Sequence, residues 1–243
     1  MSCILCDLTE RTAMFNMIIS FLRKSLLDLV YPPVCWICDS ILQNLAPVCP
    51  DCLDKLVPFR TVANAFPAGH HHFDRCYILY EFEDSLRRMV HLLKYRQCRG
   101  IAALLAAKTL DLYPEFAANG YDCVTAVPLH PARQRERGYN QSMLLAGHLA
   151  TQLQIPHRAG MLQRTRSTPS QTKLSRAERQ KNVAGAFRAE FDSPPGYVLL
   201  VDDVITTGST LDSCAAALKD RGVLTVDVFA LANPLPGHDI LSD

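Results

Sequence analysis

The sequence lacks a long hydrophobic run, an excess of one charge and a recognisable export signal. No apolar stretch is long enough to span a membrane. The net charge of +1 over 243 residues gives the whole chain no electrostatic footprint for nucleic acid, so any basic patch must be local. Asp7 and Glu10, with no small-residue cleavage site after an apolar core, indicate that there is no secretory signal. We therefore expect a cytoplasmic protein with no membrane span.

The composition is typical of a globular protein, with 49% hydrophobic and 20% charged residues. A chain of this length favours one α/β domain with a small additional module. Four segments are expected: an N-terminal extension with a short amphipathic helix at 1–30, a zinc-knuckle module at 31–60, an α/β domain at 76–233 and a flexible tail at 234–243.

Ten cysteines are many for an intracellular chain, and four of them form two tight pairs. Cys35 and Cys38 are followed, across a short linker, by Cys49 and Cys52. Paired knuckles with four thiolates suit tetrahedral zinc and leave no open position for catalysis. Without an export signal, metal is favoured over disulfides. We predict a structural Zn²⁺, with unligated thiols as the alternative.

Two other groups contain residues that often bind metals. Nothing near Cys3 and Cys6 would complete a metal site. The run His70–His72 has no second ligand group at a recognisable spacing, and Cys76 is only a weak candidate partner. We expect these histidines to lie in a solvated loop.

The most informative stretch is Val198–Thr210. It begins with four large apolar residues, too few for a helix, which predict a strand buried on both faces. Asp202 and Asp203 end the strand. A hydroxyl-rich turn with Gly208 follows, and then a helical pattern from about Leu211 to Lys219. Strand, turn and helix in this order present backbone N–H groups and a helix N-terminus to a phosphate.

Two adjacent acids beside a phosphate turn restrict the ligand, because carboxylates repel phosphate. A ligand with a phosphate at one end and hydroxyls at the other, such as a sugar phosphate, satisfies both features. Asp202 and Asp203 would accept hydrogen bonds from the sugar hydroxyls. The residues predicted to hold the phosphate are Thr206, Thr207, Gly208, Ser209 and Thr210. The alternative is a helix capped by Ser209, which leaves the two acids unexplained.

Two basic segments precede this stretch. The loop His130–Gln141 carries arginines at positions 133, 135 and 137, directly before a helix that starts near Ser142. This arrangement predicts an anion site, with a solvated loop as the alternative. Residues 166–183 form a long polar segment with a basic excess and no apolar periodicity, which is typical of a functional or disordered loop. Its charge favours an anionic ligand.

Strands alternate with helices from residue 121 onward, which predicts a parallel sheet with right-handed crossovers. Ligands of such sheets bind outside the carboxyl ends of the strands. The arginine loop, the long basic segment and the two acids all follow predicted strands. They can therefore converge on one ligand.

Several motifs occur in the order found in the ComF family, which the chain resembles from about Ile18 to Leu231. They are the two CxxC pairs, Lys94-Tyr95, Val127–Gln141, Arg164–Gln171, Arg176–Phe187 and Val201–Thr210. The last of these resembles the PRPP-binding motif of type I phosphoribosyltransferases. The resemblance implies a type I phosphoribosyltransferase-like α/β fold, a parallel sheet flanked by helices, at 76–233 behind an N-terminal four-cysteine zinc module. Relatives often carry further cysteine knuckles, but this region holds only His70–His72 and Cys76, so no second zinc is expected.

The resemblance also implies PRPP, bound with Mg²⁺, and phosphoribosyl transfer to an acceptor that no motif identifies. The residues assigned on this basis are catalytic Asp202, Asp203 and Lys94, pyrophosphate-binding Arg133 and Arg137, and Lys173 and Arg176 on a lid that excludes water. A link to DNA uptake in natural competence is implied as well, with single-stranded DNA or competence proteins as partners. A PRPP or nucleotide sensor without transfer and a single-stranded DNA-handling module are alternatives. Apart from Tyr139, the basic segments lack the aromatic residues that usually stack on bases.

Overall fold

The computed structural model describes residues 31–62, 71–165 and 185–234, and for residues 60–62 it describes the backbone alone. The predicted helix before residue 31, His70, the lid residues Lys173 and Arg176 and the tail from residue 235 lie outside the described residues. No helix of the described part is long and apolar enough to cross a membrane. The chain divides into two compact units, Met1–Leu53 and Asp54–Asp243.

The described part of the first unit is built around two cysteine turns. Val34 and Ile41 form an isolated antiparallel bridge on either side of the first turn. The backbone N–H of Trp36 donates to the carbonyl of Pro47 at 3.0 Å, which brings the segment before the second turn against the first. The second cysteine pair continues into the short helix α1 (Pro50–Asp54).

The second unit alternates strands with helices. In chain order its elements are β1 (Pro58–Val62), β2 (Arg75–Glu81), α2 (Asp84–Tyr95), α3 (Gly100–Leu112), α4 (Glu115–Ala118), β3 (Cys123–Ala126), α5 (Pro131–Arg137), α6 (Gln141–Leu153), β4 (Leu162–Arg164), β5 (Phe187–Ala189), β6 (Tyr197–Val204), α7 (Ser209–Asp220) and β7 (Thr225–Asn233).

Five strands form the main sheet in the order β1-β2-β7-β6-β3. The pairs β2–β7, β7–β6 and β6–β3 are parallel, which confirms the predicted parallel sheet. Strand β1 pairs antiparallel with β2, and the sequence predicted no strand at its position. Its pairing covers backbone groups of β2 that would otherwise lie at an open sheet edge. Strands β4 and β5 form a separate antiparallel pair.

Strand β6 lies between β7 and β3, with helices packed on both faces of the sheet. Helix α6 packs against β3 and β6, and α7 packs against β5, β6 and β7. Val198, Leu199, Leu200 and Val201 are fully buried, which confirms the predicted strand buried on both faces. The strand is therefore paired on both sides and carries its last residues to the carboxyl edge of the sheet.

The segment after β3 contains a short helix where the sequence predicted a loop. Pro131 occupies the first turn of α5, the His130 side chain accepts a hydrogen bond from the Ala132 N–H, and Gly138 ends the helix with a left-handed backbone at φ 74°. These are favourable helix-start and helix-end residues, but no apolar periodicity marks the helix. The helical winding has a consequence for the site, since residues four apart lie on one face and Arg133 and Arg137 therefore do.

Candidate functional site

The two acids of β6 lie near the carboxyl end of the strand and are held by groups from other elements. Asp203 Oδ2 lies 2.7 Å from Lys94 Nζ of α2 and accepts a hydrogen bond from Gln141 Nε2 of α6 at 3.1 Å. The Asp203 side chain is 8% exposed and that of Lys94 22%, so the pair is largely shielded from solvent. A pair in this position is screened by salt much less than a surface pair.

The two carboxyl groups differ in their ionisation. Burial alone would raise the pKa of Asp203, but the charge of Lys94 and the hydrogen bonds from Lys94 and Gln141 outweigh it and lower the pKa. Burial and the neighbouring charge of Asp203 raise the pKa of Asp202 to about 7, against hydrogen bonds from the Asp203 N–H at 2.8 Å and the Ser142 hydroxyl at 2.9 Å. Near neutral pH Asp203 is an anion, whereas Asp202 keeps its proton to a higher pH than an ordinary aspartate.

The start of α6 orients the groups that contact the acids. Asn140 Oδ1 caps the helix by accepting from the backbone N–H groups of Ser142 and Met143, and Asn140 Nδ2 donates to the Val127 carbonyl at 2.8 Å. Asn140 is buried, so this anchor ties the helix N-terminus to the end of β3. The cap directs Gln141 to Asp203 and Ser142 to Asp202.

Arg137 joins the same network from the end of α5. Its Nη1 donates to Gln141 Oε1 at 3.3 Å and its Nη2 donates to the Tyr95 hydroxyl at 3.2 Å. The guanidinium carbon lies 4.9 Å from the centre of the Tyr95 ring, in cation–π geometry. Since Tyr95 directly follows Lys94, the predicted pyrophosphate ligand Arg137 and the predicted catalytic residue Lys94 lie on one network with Asp203.

The other predicted arginine, Arg133, is exposed on the same face of α5 as Arg137. Burial lowers the pKa of Arg164 in β4, and the charges of Arg133 and Asp202 also act on this guanidinium, in opposite directions. Arg133, Arg164 and Asp202 therefore share one electrostatic environment. Sequence analysis had not assigned a role to Arg164.

The turn after β6 leads into α7 through Gly208, which has a left-handed backbone with φ 75°. The hydroxyls of Thr207 and Ser209 lie 2.9 Å apart. Ser209 is the first residue of the helix and makes no side-chain cap, so the alternative in which Ser209 caps the helix is wrong. The backbone N–H groups of the first turn of this twelve-residue helix and the surrounding hydroxyls suit a phosphate.

The four cysteines of the first unit form one cluster, in which the ligand atoms all lie within 4.8 Å of one another. Cys35 Sγ accepts hydrogen bonds from the backbone N–H groups of Ile37 and Cys49, at 3.4 and 3.3 Å. Hydrogen bonds from Ser40 lower the pKa of Cys38 to about 6. Clustered sulfurs that receive N–H donors fit tetrahedral zinc. Within the described ranges, this is the only such group of metal-ligating side chains.

The histidines before β2 contact α7 rather than the cysteines. His72 approaches Asp212 Oδ1 with its backbone N–H at 2.6 Å and its Nδ1 at 3.2 Å, while His71 Nδ1 lies 3.6 Å from the same oxygen. His71 also stacks on Phe73. Cys76, considered as a partner for these histidines, is buried in β2. His71 and His72 thus attach their segment to the first turns of α7.

Comparison with known proteins assigns both units. A model of the phosphoribosyl transferase domain matches residues 140–237, and a model of the double zinc ribbon domain matches residues 26–63. Competence protein F of Haemophilus influenzae is 32% identical over 207 residues, which cover 82% of this chain and 84% of that protein. The chain belongs to the ComF family.

Two other ComF-family relatives extend this comparison. DNA utilization protein YhgH of Salmonella typhi is 30% identical over 218 residues, covering 83% of this chain and 91% of that protein. Competence protein ComFC of Bacillus subtilis is 28% identical over 148 residues, covering 59% of this chain and 58% of that protein. The predicted fold, parallel strands flanked by helices behind a four-cysteine module, is confirmed. The zinc ribbon match and the cysteine cluster support a structural zinc.

The sequence assigned no role to Gln141 and Ser142, which donate to the acids, or to Tyr95, which accepts from Arg137. Gln141 and Tyr95 lie in motifs quoted for the ComF resemblance, and Ser142 directly follows one of them. One local signal was available: Gln141 and Ser142 directly follow Asn140, a favourable helix-cap residue, at the start of a helix whose preceding loop follows a predicted strand. Polar residues in a first helical turn at that edge are candidates for a ligand site.

Proposed function

We propose that this ComF-family protein binds PRPP with Mg²⁺ at the carboxyl edge of its sheet and transfers the phosphoribosyl group to an acceptor, in the service of DNA uptake during natural competence. The observation that carries the proposal is the pair Asp202 and Asp203, oriented by Lys94, Gln141 and Ser142 next to a glycine-containing hydroxyl turn. The phosphoribosyl transferase match and the competence proteins among the relatives support it. Competence proteins are the partners that this role implies.

Each end of PRPP would meet a different part of the site. The 5-phosphate would lie on the turn Thr206–Thr210 and at the N-terminus of α7. The ribose hydroxyls would donate to Asp203, which is already ionised, and to Asp202. Because Lys94, Gln141 and Ser142 fix both side chains before the ligand arrives, little ordering cost remains at binding.

The diphosphate of PRPP would meet Arg137 and Lys94, with Arg133 on the same face of α5. During transfer the bond from the anomeric carbon to the diphosphate oxygen breaks, its electron pair leaves with the diphosphate, and the acceptor forms a bond to that carbon. The protein's part is to position the ribose and to stabilise the negative charge that develops on the leaving group. Arg137 and Lys94 carry the positive charge for this task.

Mg²⁺ bound with PRPP would supply further neutralisation of the diphosphate. Protein groups already occupy oxygens of Asp202 and Asp203, so the ion would be held mainly by oxygens of the ligand. We extend the proposal to the segment with Lys173 and Arg176, which would close over the ligand and exclude water. Exclusion of water protects PRPP from hydrolysis.

Calorimetry with PRPP and Mg²⁺ tests the site directly. The variants Asp202→Asn and Asp203→Asn should bind PRPP on the order of a hundredfold more weakly, because each loses a charged acceptor for ribose hydroxyls. Asp220→Asn is the matched control, since it makes the same change at the other end of α7. The absence of PRPP binding to the unmodified protein would contradict the proposal. Binding without pyrophosphate release across a panel of bases and amines would favour a sensor.

A second candidate function is contact with single-stranded DNA at a basic face, which we define as Lys94, Arg96, Arg99, Arg133, Arg135 and Arg137. Apart from Tyr139, the basic segments lack aromatic residues, but the fold places Arg137 over the half-exposed Tyr95 and Arg99 over the buried Tyr139. Cations beside an accessible aromatic ring favour the binding of nucleic acid, because the bases can stack on the ring and the phosphates can pair with arginine. The relatives named DNA utilization protein are in keeping with this role.

The salt dependence of binding to an unstructured oligonucleotide tests the second candidate. Affinity should fall steeply with salt, and Arg135→Ala should lower the slope of the log–log plot by about one phosphate contact. Arg188→Ala, which changes an exposed arginine on β5, should leave the slope as it is. A slope near zero for the unmodified protein would rule out the basic face as a DNA site.

A further inference from the structure

We propose that Gln141 is a positioning residue that couples the binding of an anion at Arg137 to the alignment of Asp203. The inference rests on the proposed function for the identity of that anion, which would be the diphosphate of PRPP. The Gln141 amide is shared between the two groups. Its oxygen accepts from Arg137 Nη1 at 3.3 Å and its nitrogen donates to Asp203 Oδ2 at 3.1 Å. One side chain thus touches both a predicted diphosphate ligand and a predicted ribose ligand.

The chemistry of the two partners allows only one orientation of this amide. A guanidinium donates and cannot accept, whereas a carboxylate accepts and cannot donate. The amide oxygen must therefore face Arg137 and the nitrogen must face Asp203. Gln141 is buried, and the cap at Asn140 fixes the helical turn on which it lies, so the orientation is set by the fold.

Glutamine is distinctive at this place because it bridges a cation and an anion without adding charge. The charged groups that face Asp203 are Lys94 from α2, Arg137 from α5 and Asp202 beside it on β6. A carboxylate in place of the amide would still accept from Arg137 but would repel Asp203. An apolar side chain of similar size would break the link at both ends.

The two hydrogen bonds of Gln141 become important when a diphosphate binds at Arg137. A diphosphate competes with Asp203 for the ammonium of Lys94, since both are anions within reach of one flexible side chain. The hydrogen bond from Gln141 then remains to hold Asp203 Oδ2, while Arg137 binds the anion with its other N–H groups. Gln141 keeps the ribose acceptor aligned while the cations turn to the leaving group.

Two measurements on Gln141→Leu and Gln141→Glu test the inference. The first is carbon-13 NMR of labelled aspartate in the ligand-free protein, in which the Asp203 signal is assigned by its loss in Asp203→Asn. Asp203 should titrate at a higher pH in Gln141→Leu than in the unmodified protein, and at a still higher pH in Gln141→Glu. Calorimetry should show PRPP affinity lowered about tenfold by Gln141→Leu and further by Gln141→Glu. Gln152→Leu, about three turns along the same helix, is the control and should alter neither readout.

The outcomes separate the inference from the proposed function. A merely structural role would lower the melting temperature without moving the Asp203 titration, and that result would overturn the inference. An unchanged titration together with unchanged PRPP affinity would overturn it too. If the unmodified protein binds no PRPP, the proposed function fails, yet the titration still decides whether Gln141 orients Asp203. Coupling also requires that the losses of PRPP binding free energy caused by Arg137→Met and by Gln141→Leu be less than additive in the double variant. Strict additivity would refute the coupling.

Discussion

Two buried aspartates lie at opposite ends of neighbouring strands and are held in different ways. Asp203, near the carboxyl end of β6, has the ammonium of Lys94 and the amide of Gln141 as partners. Asp227, near the amino end of β7, has the hydroxyls of Tyr121 and Tyr197, which donate to its Oδ2 at 2.9 and 2.5 Å. Both residues are almost completely buried, at 6% exposed for Asp203 and 0% for Asp227.

The difference shows that the partner decides the ionisation of these acids more than burial does. Burial raises the pKa of Asp227, and the phenols and Arg75 offset only part of the increase. At Asp203 the same effect of burial is outweighed by a direct cation. One end of the sheet therefore holds an anion ready to accept hydrogen bonds. The other end holds a carboxyl group beside an aromatic cluster, in which its partner Tyr121 packs against Tyr197 and Phe116.

The cysteine cluster adds a third case to the comparison, in which the negative charge of the thiolates would be balanced by a bound zinc ion. We expect the largest effect of a substitution at this cluster. Bound zinc should fall from about one equivalent to almost none in Cys35→Ser, because three thiolates and a hydroxyl bind Zn²⁺ poorly. Metal analysis of the purified protein measures this. Cys98→Ser, outside the cluster, should retain its zinc. Unchanged zinc content in Cys35→Ser would refute the ligand assignment.

Lys94→Met removes the cation that distinguishes Asp203 from Asp227. We expect the free energy of unfolding to fall by about 2 kcal/mol near pH 7, less than for a fully buried pair, since Lys94 is partly exposed. The lowered pKa of Asp203 contributes stability that is present above the ordinary aspartate pKa and is lost as the pH falls through the lowered value. The variant lacks this contribution, so its deficit should shrink on acidification.

Urea unfolding of both proteins at about pH 3 and pH 7 measures the Lys94 effect, because the contribution of Asp203 is lost only below the ordinary aspartate pKa of about 4. Lys108→Met is the matched control, because Lys108 forms only an exposed pair with Asp111 at 4.0 Å. The control should cost less than about 0.5 kcal/mol at either pH. An equal deficit for Lys94→Met at both values would show that Lys94 does not determine the charge of Asp203.

Asp227→Asn should give the smallest effect and the opposite dependence on pH. The raised pKa of Asp227 contributes stability that is fully present below its ordinary value and is lost as the pH rises through the raised value. Asparagine stays neutral, so the variant should gain about 1 kcal/mol relative to the unmodified protein as the pH rises from about 4 to 7. Urea unfolding across this range checks the trend. PRPP affinity should not change, and a clear loss would show that the amino end of the sheet also serves the site.

The predictable part of the site lies within short segments. The strand of β6, the two acids and the turn to α7 follow from about a dozen consecutive residues, and each cysteine pair follows from its own spacing. The weaker predictions concern segments whose structure depends on what packs beside them. Strand β1 forms because β2 offers an open edge, and α5 is set by terminal residues without an apolar pattern. Neither environment is visible in the local sequence.

The amino-acid sequence by itself determined the parallel α/β pattern, the cysteine module, the glycine-containing turn after β6 and the family, because these depend on short-range spacing and on the order of motifs. Only the tertiary structure decided which groups complete the site. Gln141 meets Asp203 across 62 positions of the chain, and Tyr121 meets Asp227 across 106. Such long-range contacts are determined by the strand order, the helix packing and the helix caps, which place residues distant in the sequence at the same end of the sheet. The pKa values of two aspartates that look alike in the sequence are therefore shifted in opposite directions.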